Sequence, residues 1–426
     1  MRKVRRLLGQ AIPGRASRAE KINKRVAARP QCAHPPLRAL STREPVSRAR
    51  KSILRGPART GLLAGVISTV TLYCVPVFAQ SSVTLYGLVD AGLRYTTHAN
   101  PAGDSQYQMT SGASESYFGI KGVEDIGGGT KVVFNMENRF FPNSGATDPA
   151  YPFFNTAFVG LQSSTFGKLT MGRQLNPLSD AVLSAYVTNR WLPTFYQFRP
   201  EVMMAQGVWT SNMVKYAARW QYLTAEVSYA FGGNAGQFGA GSQIGASILY
   251  LPAAPLTFAA AYLDSRDAVN SSAHLKSWTA GGSYTFASTT VTAGWAVNRQ
   301  DAGFVGNFPN GPFSQPALSA LKFNTFSQRQ MFYGGVTQQI GFATHLSANV
   351  WRTIQTGKTQ PADGNATQFQ LLADYNWSKR TDTYLEVDYS LYHGGMVGAQ
   401  FQGINAVSSA FGTTQLGVTA GLRHLF

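Results

Sequence analysis

From Val83 to the C-terminal Phe426 the chain alternates apolar and polar residues with a period of two, and the interruptions come in two sizes. "VTLYGLVDAGLRY" sets Val83, Leu85, Gly87, Val89, Ala91, Leu93 and Tyr95 on one face, with Thr84, Tyr86, Asp90 and Arg94 on the other. "TQFQLLADYNW" opposes Phe369, Leu371, Ala373 and Tyr375 to Gln368, Gln370 and Asp374, and "TDTYLEVDYSLY" repeats the pattern. Such a period belongs to strands with one apolar and one polar face. Tight turns are readable at 124–130, 163–168, 220–224, 251–255, 286–290, 339–344 and 376–381. Between them lie longer Gly-, Pro- and Asn-rich connections near 97–115, 141–154, 175–211, 232–242, 264–276, 299–328, 356–366 and 393–412. Eight long connections alternating with seven short ones require sixteen antiparallel strands, with both chain ends on the short-turn side. No amphipathic helix longer than a turn or two is legible.

Soluble sandwiches and propellers also alternate, but they do not sort their connections by length in this way. The asymmetry is that of a transmembrane antiparallel β-barrel with short periplasmic turns and long external loops. Tyr, Phe and Trp make up 12% of the chain and cluster near strand ends, as an interfacial girdle would. A sheet that crosses a bilayer must close on itself so that no backbone group faces lipid unpaired. A sixteen-stranded ring encloses water rather than a packed core. The terminal "QLGVTAGLRHLF" then reads as the strand that closes the ring.

The formal charge of +17 points first to a nucleic-acid binder, but 17 of the 37 Lys and Arg lie in residues 1–79, beside only Glu20 and Glu44. Residues 80–426 are left with 20 basic and 18 acidic side chains, so no nucleic-acid partner is expected. Both cysteines, Cys32 and Cys74, also precede residue 80, which removes disulfides and thiol metal sites from the rest. Arg50, Lys51, Arg55 and Arg59 precede an apolar stretch at about 61–78, and Val77 and Ala79 supply small residues for a cleavage site. Residues 1–79 are therefore expected to be an N-terminal extension and signal peptide cut after Ala79, and residues 80–426 the barrel.

The segments "QSSVTLYGLVDAGL", "SYFGIKGVEDIGGGTKVVFNME", "AFVGLQSSTFGKLTMGRQLNP", "ADYNWSKRTDTYLEVDY" and the terminal "GLRHLF" resemble, in order and spacing, the trimeric general porins of Gram-negative outer membranes, beta-proteobacterial branch. The resemblance covers residues 80–426. It implies a homotrimer of water-filled barrels, each narrowed by a third loop folded inward, passing ions and small hydrophilic solutes across the outer membrane. It also implies that Phe426, a C-terminal aromatic residue, is read by the barrel assembly machinery. Three positions where the family tends to carry arginine hold Tyr117, Asn155 and Trp209 here, whereas Arg173 in "MGRQ" is kept. That thinned set implies weak ion selectivity with a lean toward anions.

In such a channel the chemistry is a field across a constriction. The expected constriction sets Asp180 and Glu201, on the third loop, against wall residues Lys121, Lys131, Arg139, Arg173 and Tyr117. The same loop carries Tyr186, Trp191, Phe195, Tyr196, Phe198 and Trp209, which would suit a substrate-specific channel with an aromatic track. An enzyme is not expected: His98, His274, His345, His393 and His424 belong to no nucleophile or metal motif. "GGG" at 127–129 is a tight turn rather than a phosphate cradle, and no cofactor is expected.

Overall fold

A computed structural model of the chain describes residues 81–426, apart from 101, 148–151, 186–206, 254, 307–309, 312–324 and 398–411. The strands in order are β1 Ser82–Thr96, β2 Gln106–Thr110, β3 Ser116–Gly127, β4 Thr130–Phe140, β5 Thr156–Ser163 and β6 Gly167–Leu175. After helix α1 (Pro177–Ala185) come β7 Trp209–Trp220, β8 Leu223–Ala230, β9 Gln243–Tyr250, β10 Leu256–Arg266, β11 His274–Phe286 and β12 Thr289–Gln300. The chain ends with β13 Phe326–Ile340, β14 Thr344–Gly357, β15 Gly364–Asn376, β16 Thr381–Gly394 and β17 Thr414–Leu425. Every neighbouring pair is antiparallel, and β1 pairs with β17 to close the sheet.

Seventeen segments make sixteen staves, because β2 and β3 share one stave. β3 lies against Ser82–Leu88 of β1 and β2 against Gly92–Thr96 of the same strand. Residues 111–115 bulge between them. The loop expected at 97–115 therefore ends earlier, and the stave resumes at Gln106. All seven tight turns and the other seven long connections fall where alternation predicts.

The two faces of the sheet are sorted inside out relative to a soluble protein. On β15, Phe369 and Leu371 are 48% and 60% exposed, while Gln368 and Gln370 between them are 1% exposed. Val83, Leu85 and Leu93 of β1 are likewise exposed, and Asp90 and Arg94 are buried. Only lipid makes an outer face of exposed Leu, Val and Phe stable.

The terminal residue is part of the closure. The backbone N–H of Phe426 donates to the Gly87 carbonyl (3.0 Å) and that of Gly87 to the Phe426 carbonyl (3.1 Å). A Cβ at position 87 would lie 2.4 Å from the Phe426 ring and 2.6 Å from the Tyr117 carbonyl, so the seam needs glycine there.

Helix α1 follows from local chemistry. The Asn176 side chain accepts from the Ser179 N–H (2.9 Å) and hydroxyl (3.0 Å), and Pro177 holds the first helical position. Its apolar residues Leu178, Ala181, Val182 and Ala185 bury against Leu249, Ala259, Ala261, Leu263 and Leu275. Those wall residues occupy the inward positions of β9–β11, where other staves carry polar groups. Burial of Leu178 and Val182 contributes about 1.5–3 kcal/mol each. The helix, which starts the third long connection, is thus fixed to the inner wall.

Candidate functional site in the barrel lumen

Inward-facing charges collect in two places. The first is the seam, where β16, β17 and β1 meet. Arg94 Nη1 lies 2.8 Å from Asp388 and 3.4 Å from Glu386, and donates to the Thr419 hydroxyl at 2.9 Å. Arg423 lies 2.8 Å from Asp382 and 3.4 Å from Asp374, and donates to the Ser114 hydroxyl. The Tyr384 hydroxyl donates to Asp90 (2.7 Å), which also accepts the Ser114 N–H (2.7 Å). These groups pin the 111–115 bulge to the seam, and both arginines are almost fully buried. Five carboxylates around two guanidiniums make this a structural lattice rather than a surface that meets solute.

The second is a cavity of about 520 Å³ between the start of the third connection and the wall from β3 to β8. Four carboxylates line it (Glu115, Glu137, Asp180 and Glu226) with three cationic groups, Arg139, Lys168 and Lys215. Tyr117, Asn135, Thr170, Gln174 and Trp209 complete its polar wall. Arg139 is the best-held of the cations. It pairs with Glu115, its Nε lies 3.8 Å from Glu137, and its guanidinium sits 4.4 Å from the Trp209 ring centre. Trp209 is itself oriented by an Nε1–H bond to the Thr156 hydroxyl (3.2 Å). Lys215 lies 2.6 Å from Asp180 on α1, tying helix to wall. Glu226 accepts the Ser247 hydroxyl (2.7 Å), and Lys168 rests 5.1 Å from the Phe158 ring.

The residues expected at the constriction are only partly brought together. Tyr117 and Arg139 are cross-strand partners and both line the cavity, as does Asp180. Lys121 points inward on the same stave as Tyr117, below the cavity, with its ammonium 4.9 Å from the Tyr86 ring. Lys131 is opposite Asp125 near the tight turn and exposed, toward the short-turn mouth. Glu201 and the aromatics Tyr186, Trp191, Phe195, Tyr196 and Phe198 lie outside the described residues.

Arg173 stands apart. It is in register with Ala157, one pair beyond Val159–Met171, but Met171 is 52% exposed on the outer face and Arg173 is 8% exposed. A register shift between Gly172 and Gln174 accompanies it, Gly172 holding φ +132°. Its Nη1 donates to the Ser211 hydroxyl at 2.7 Å, and it does not line the cavity. Glu115, Glu137, Lys168, Lys215 and Glu226 were not singled out from sequence. The available signal was parity: Lys215 and Arg219 are the charges on the inward positions of "NMVKYAARW", and Glu226 is the one charge of "LTAEVSYA".

Comparison with known proteins follows the same lines. Residues 64–395 match the family model described as Gram-negative porin. Outer membrane porin protein 32 of Delftia acidovorans is 28% identical over 361 residues, covering 82% of this chain and 95% of that protein. An outer membrane porin of Bordetella pertussis is 28% identical over 359 residues, covering 73% of this chain and 89% of the relative. Among solved structures, an anion-selective porin from Comamonas acidovorans superposes with a TM-score of 0.67 at 24% identity, over 82% of this chain and 100% of that one. The trimer form of OmpT from Vibrio cholerae superposes with a TM-score of 0.58 at 15% identity, over 81% and 99%.

Proposed function

The chain belongs to the Gram-negative porin family, and from that premise we propose how its lumen sorts solutes. It is an outer-membrane channel for passive diffusion of ions and small hydrophilic molecules, not an enzyme. The constriction is the space between helix α1 and the wall centred on Arg139, with Tyr117, Trp209, Lys168, Lys215, Asp180 and Glu226 as its polar rim. The observation that carries this reading is the opposition of charges across the cavity, with Asp180 on the loop side and Arg139 and Lys168 on the wall. Opposed charges across a water-filled gap orient polar solutes and disfavour apolar ones.

Selectivity is weak because the lining is nearly balanced. A lean toward anions rests on Lys121 and Lys168, which contact rings and have no ion-pair partner among the described residues; Asp180, Glu115 and Glu137 lie beside cations, and Glu226, held by the Ser247 hydroxyl, keeps the lean small. The channel assembles as a homotrimer, like the trimer form of the Vibrio cholerae neighbour. Phe426, at the end of the closing strand, is the residue that the barrel assembly machinery reads, and a signal peptide is removed after Ala79. Planar-bilayer recording in a salt gradient tests the lumen reading. Triple-step openings with a small reversal potential of anion sign support it; clear cation preference, or no conductance from folded protein, overturns it.

A further inference from the structure

The bulge between β2 and β3 ties the seam to the cavity. Between the pairs Leu88–Tyr117 and Gly92–Thr110, three residues of β1 face six of the neighbouring stave. The extra chain turns at Gly112, whose φ of +73° suits glycine. A Cβ there would run into the Asp90 carboxylate and the Tyr384 hydroxyl. The residues that follow are fastened one by one. The Ala113 N–H donates to the Tyr384 hydroxyl (2.5 Å), and that hydroxyl donates to one oxygen of Asp90 (2.7 Å). The other Asp90 oxygen accepts the Ser114 N–H (2.7 Å). The Ser116 hydroxyl accepts the Asp90 N–H (2.9 Å) and donates to the Asp90 carbonyl (3.2 Å). Ala113, Ser114 and Ser116 are all buried. Glu115 is therefore held from both sides, and its carboxylate pairs with Arg139 in the cavity.

We propose that Tyr384 and Ser116 are positioning residues for ion selectivity: with Asp90 they place the Glu115 carboxylate against Arg139, and so set how much of that cation's charge a passing solute meets. The proposal rests on the reading of this cavity as the constriction. Neither Tyr384 nor Ser116 lines the cavity, so both act through Glu115. Six residues set against three have no regular ladder to hold them, and the bulge depends on these side chains for its shape. Removing the Tyr384 hydroxyl leaves the buried Ala113 N–H without its acceptor, which favours a different path for the chain. Arg423 reaches the bulge through the Ser114 hydroxyl, so its loss leaves both backbone anchors in place.

The test is the reversal potential in a salt gradient of channel purified from outer membranes, with thermal unfolding of the same samples. Glu115→Gln should shift relative permeability toward anions by about twofold, the worth of one charge some 8 Å away through water. Tyr384→Phe and Ser116→Ala leave every charge in the chain, yet each should shift it the same way by about 1.5-fold as Glu115 leaves Arg139 part of the time. Either change added to Glu115→Gln should shift nothing further. Tyr333→Phe removes another buried wall hydroxyl, one that donates to Asn349 on β14, and should keep the wild-type ion preference. Lower stability in Tyr384→Phe and Ser116→Ala with unchanged ion preference overturns the proposal, because their role is then structural alone. So does a further shift when either is added to Glu115→Gln, or an equal shift in Tyr333→Phe. No shift in Glu115→Gln overturns the constriction reading and the proposal with it. A shift there, with none in the two hydroxyl variants, overturns the proposal and leaves the constriction reading standing.

Discussion

Two stretches of the inner wall carry similar numbers of charges and treat them in opposite ways. At the seam, Arg94 and Arg423 are 2% and 1% exposed, and every acid around them has a close partner. Along β3–β8 the charges line a cavity and keep room for solvent. The first arrangement fixes the register in which β17 meets β1, where a slip of one residue would turn each side chain to the wrong face. The second leaves charge available to passing ions. Position on the same lumen wall does not decide whether a charge conducts; whether it borders a solvent-filled cavity does.

The largest expected effect is at the seam. Arg423→Met leaves Asp374 and Asp382 facing each other without their cation, and removing one partner of a buried ion pair costs about 3–5 kcal/mol. The barrel should unfold at clearly lower temperature or urea, read by the gel shift between folded and unfolded forms. Surviving channels should keep their ion preference. An unchanged midpoint would remove the distinction between structural and conducting charges. Gly87→Val tests the same closure from the backbone side. Its Cβ would meet both the Phe426 ring and the Tyr117 carbonyl, an overpacking cost of about 1–3 kcal/mol. Adding Phe426→Ala should recover part of that loss, since only the ring clash is relieved. Full recovery would mean that the Tyr117 backbone gives way.

The architecture was open to reading because a membrane barrel writes itself in two simple periods, side-chain alternation and turn length. Both survive the absence of a packed core. The split of one stave into β2 and β3 was not, because "SGASE" looks like loop and only the inward network of Asp90, Tyr384 and Arg423 explains why the chain bulges there. In the lumen, alternation already placed Lys121 and Arg139 inward. The partners of Arg139, Glu115 and Glu137, were not picked out, since an acid among polar residues carries no mark of the cation it will meet. Arg173 is the instructive case. Counting by twos in "KLTMGRQL" puts it with Leu169 and Met171, but the register shift between Gly172 and Gln174 and its 8% exposure set it apart from both. The expectation of a pore-lining arginine came from family resemblance, and Arg173 does not line the cavity.

A middle-sized effect is expected at the cavity. Arg139→Ala removes a cation from the rim, and a unit charge some 8 Å away through water is worth about 0.5 kcal/mol, or roughly twofold in relative permeability. The reversal potential should move toward cations while thermal stability changes little, the reverse of Arg423→Met. If stability falls as far as it does at the seam, Arg139 belongs to the structural set.

The smallest effect separates resemblance from geometry. Arg173→Ala truncates a side chain that donates to Ser211 and is in register with Ala157. It does not line the cavity, so ion preference should stay within error of wild type while Arg139→Ala moves it. It is buried and held to Ser211 beside the irregularity at Gly172, so the change should appear as a lower unfolding temperature of the barrel. A shift in reversal potential as large as that of Arg139→Ala would mean that Arg173 reaches the pore, and that the bulge at Gly172 turns it inward when the channel is open.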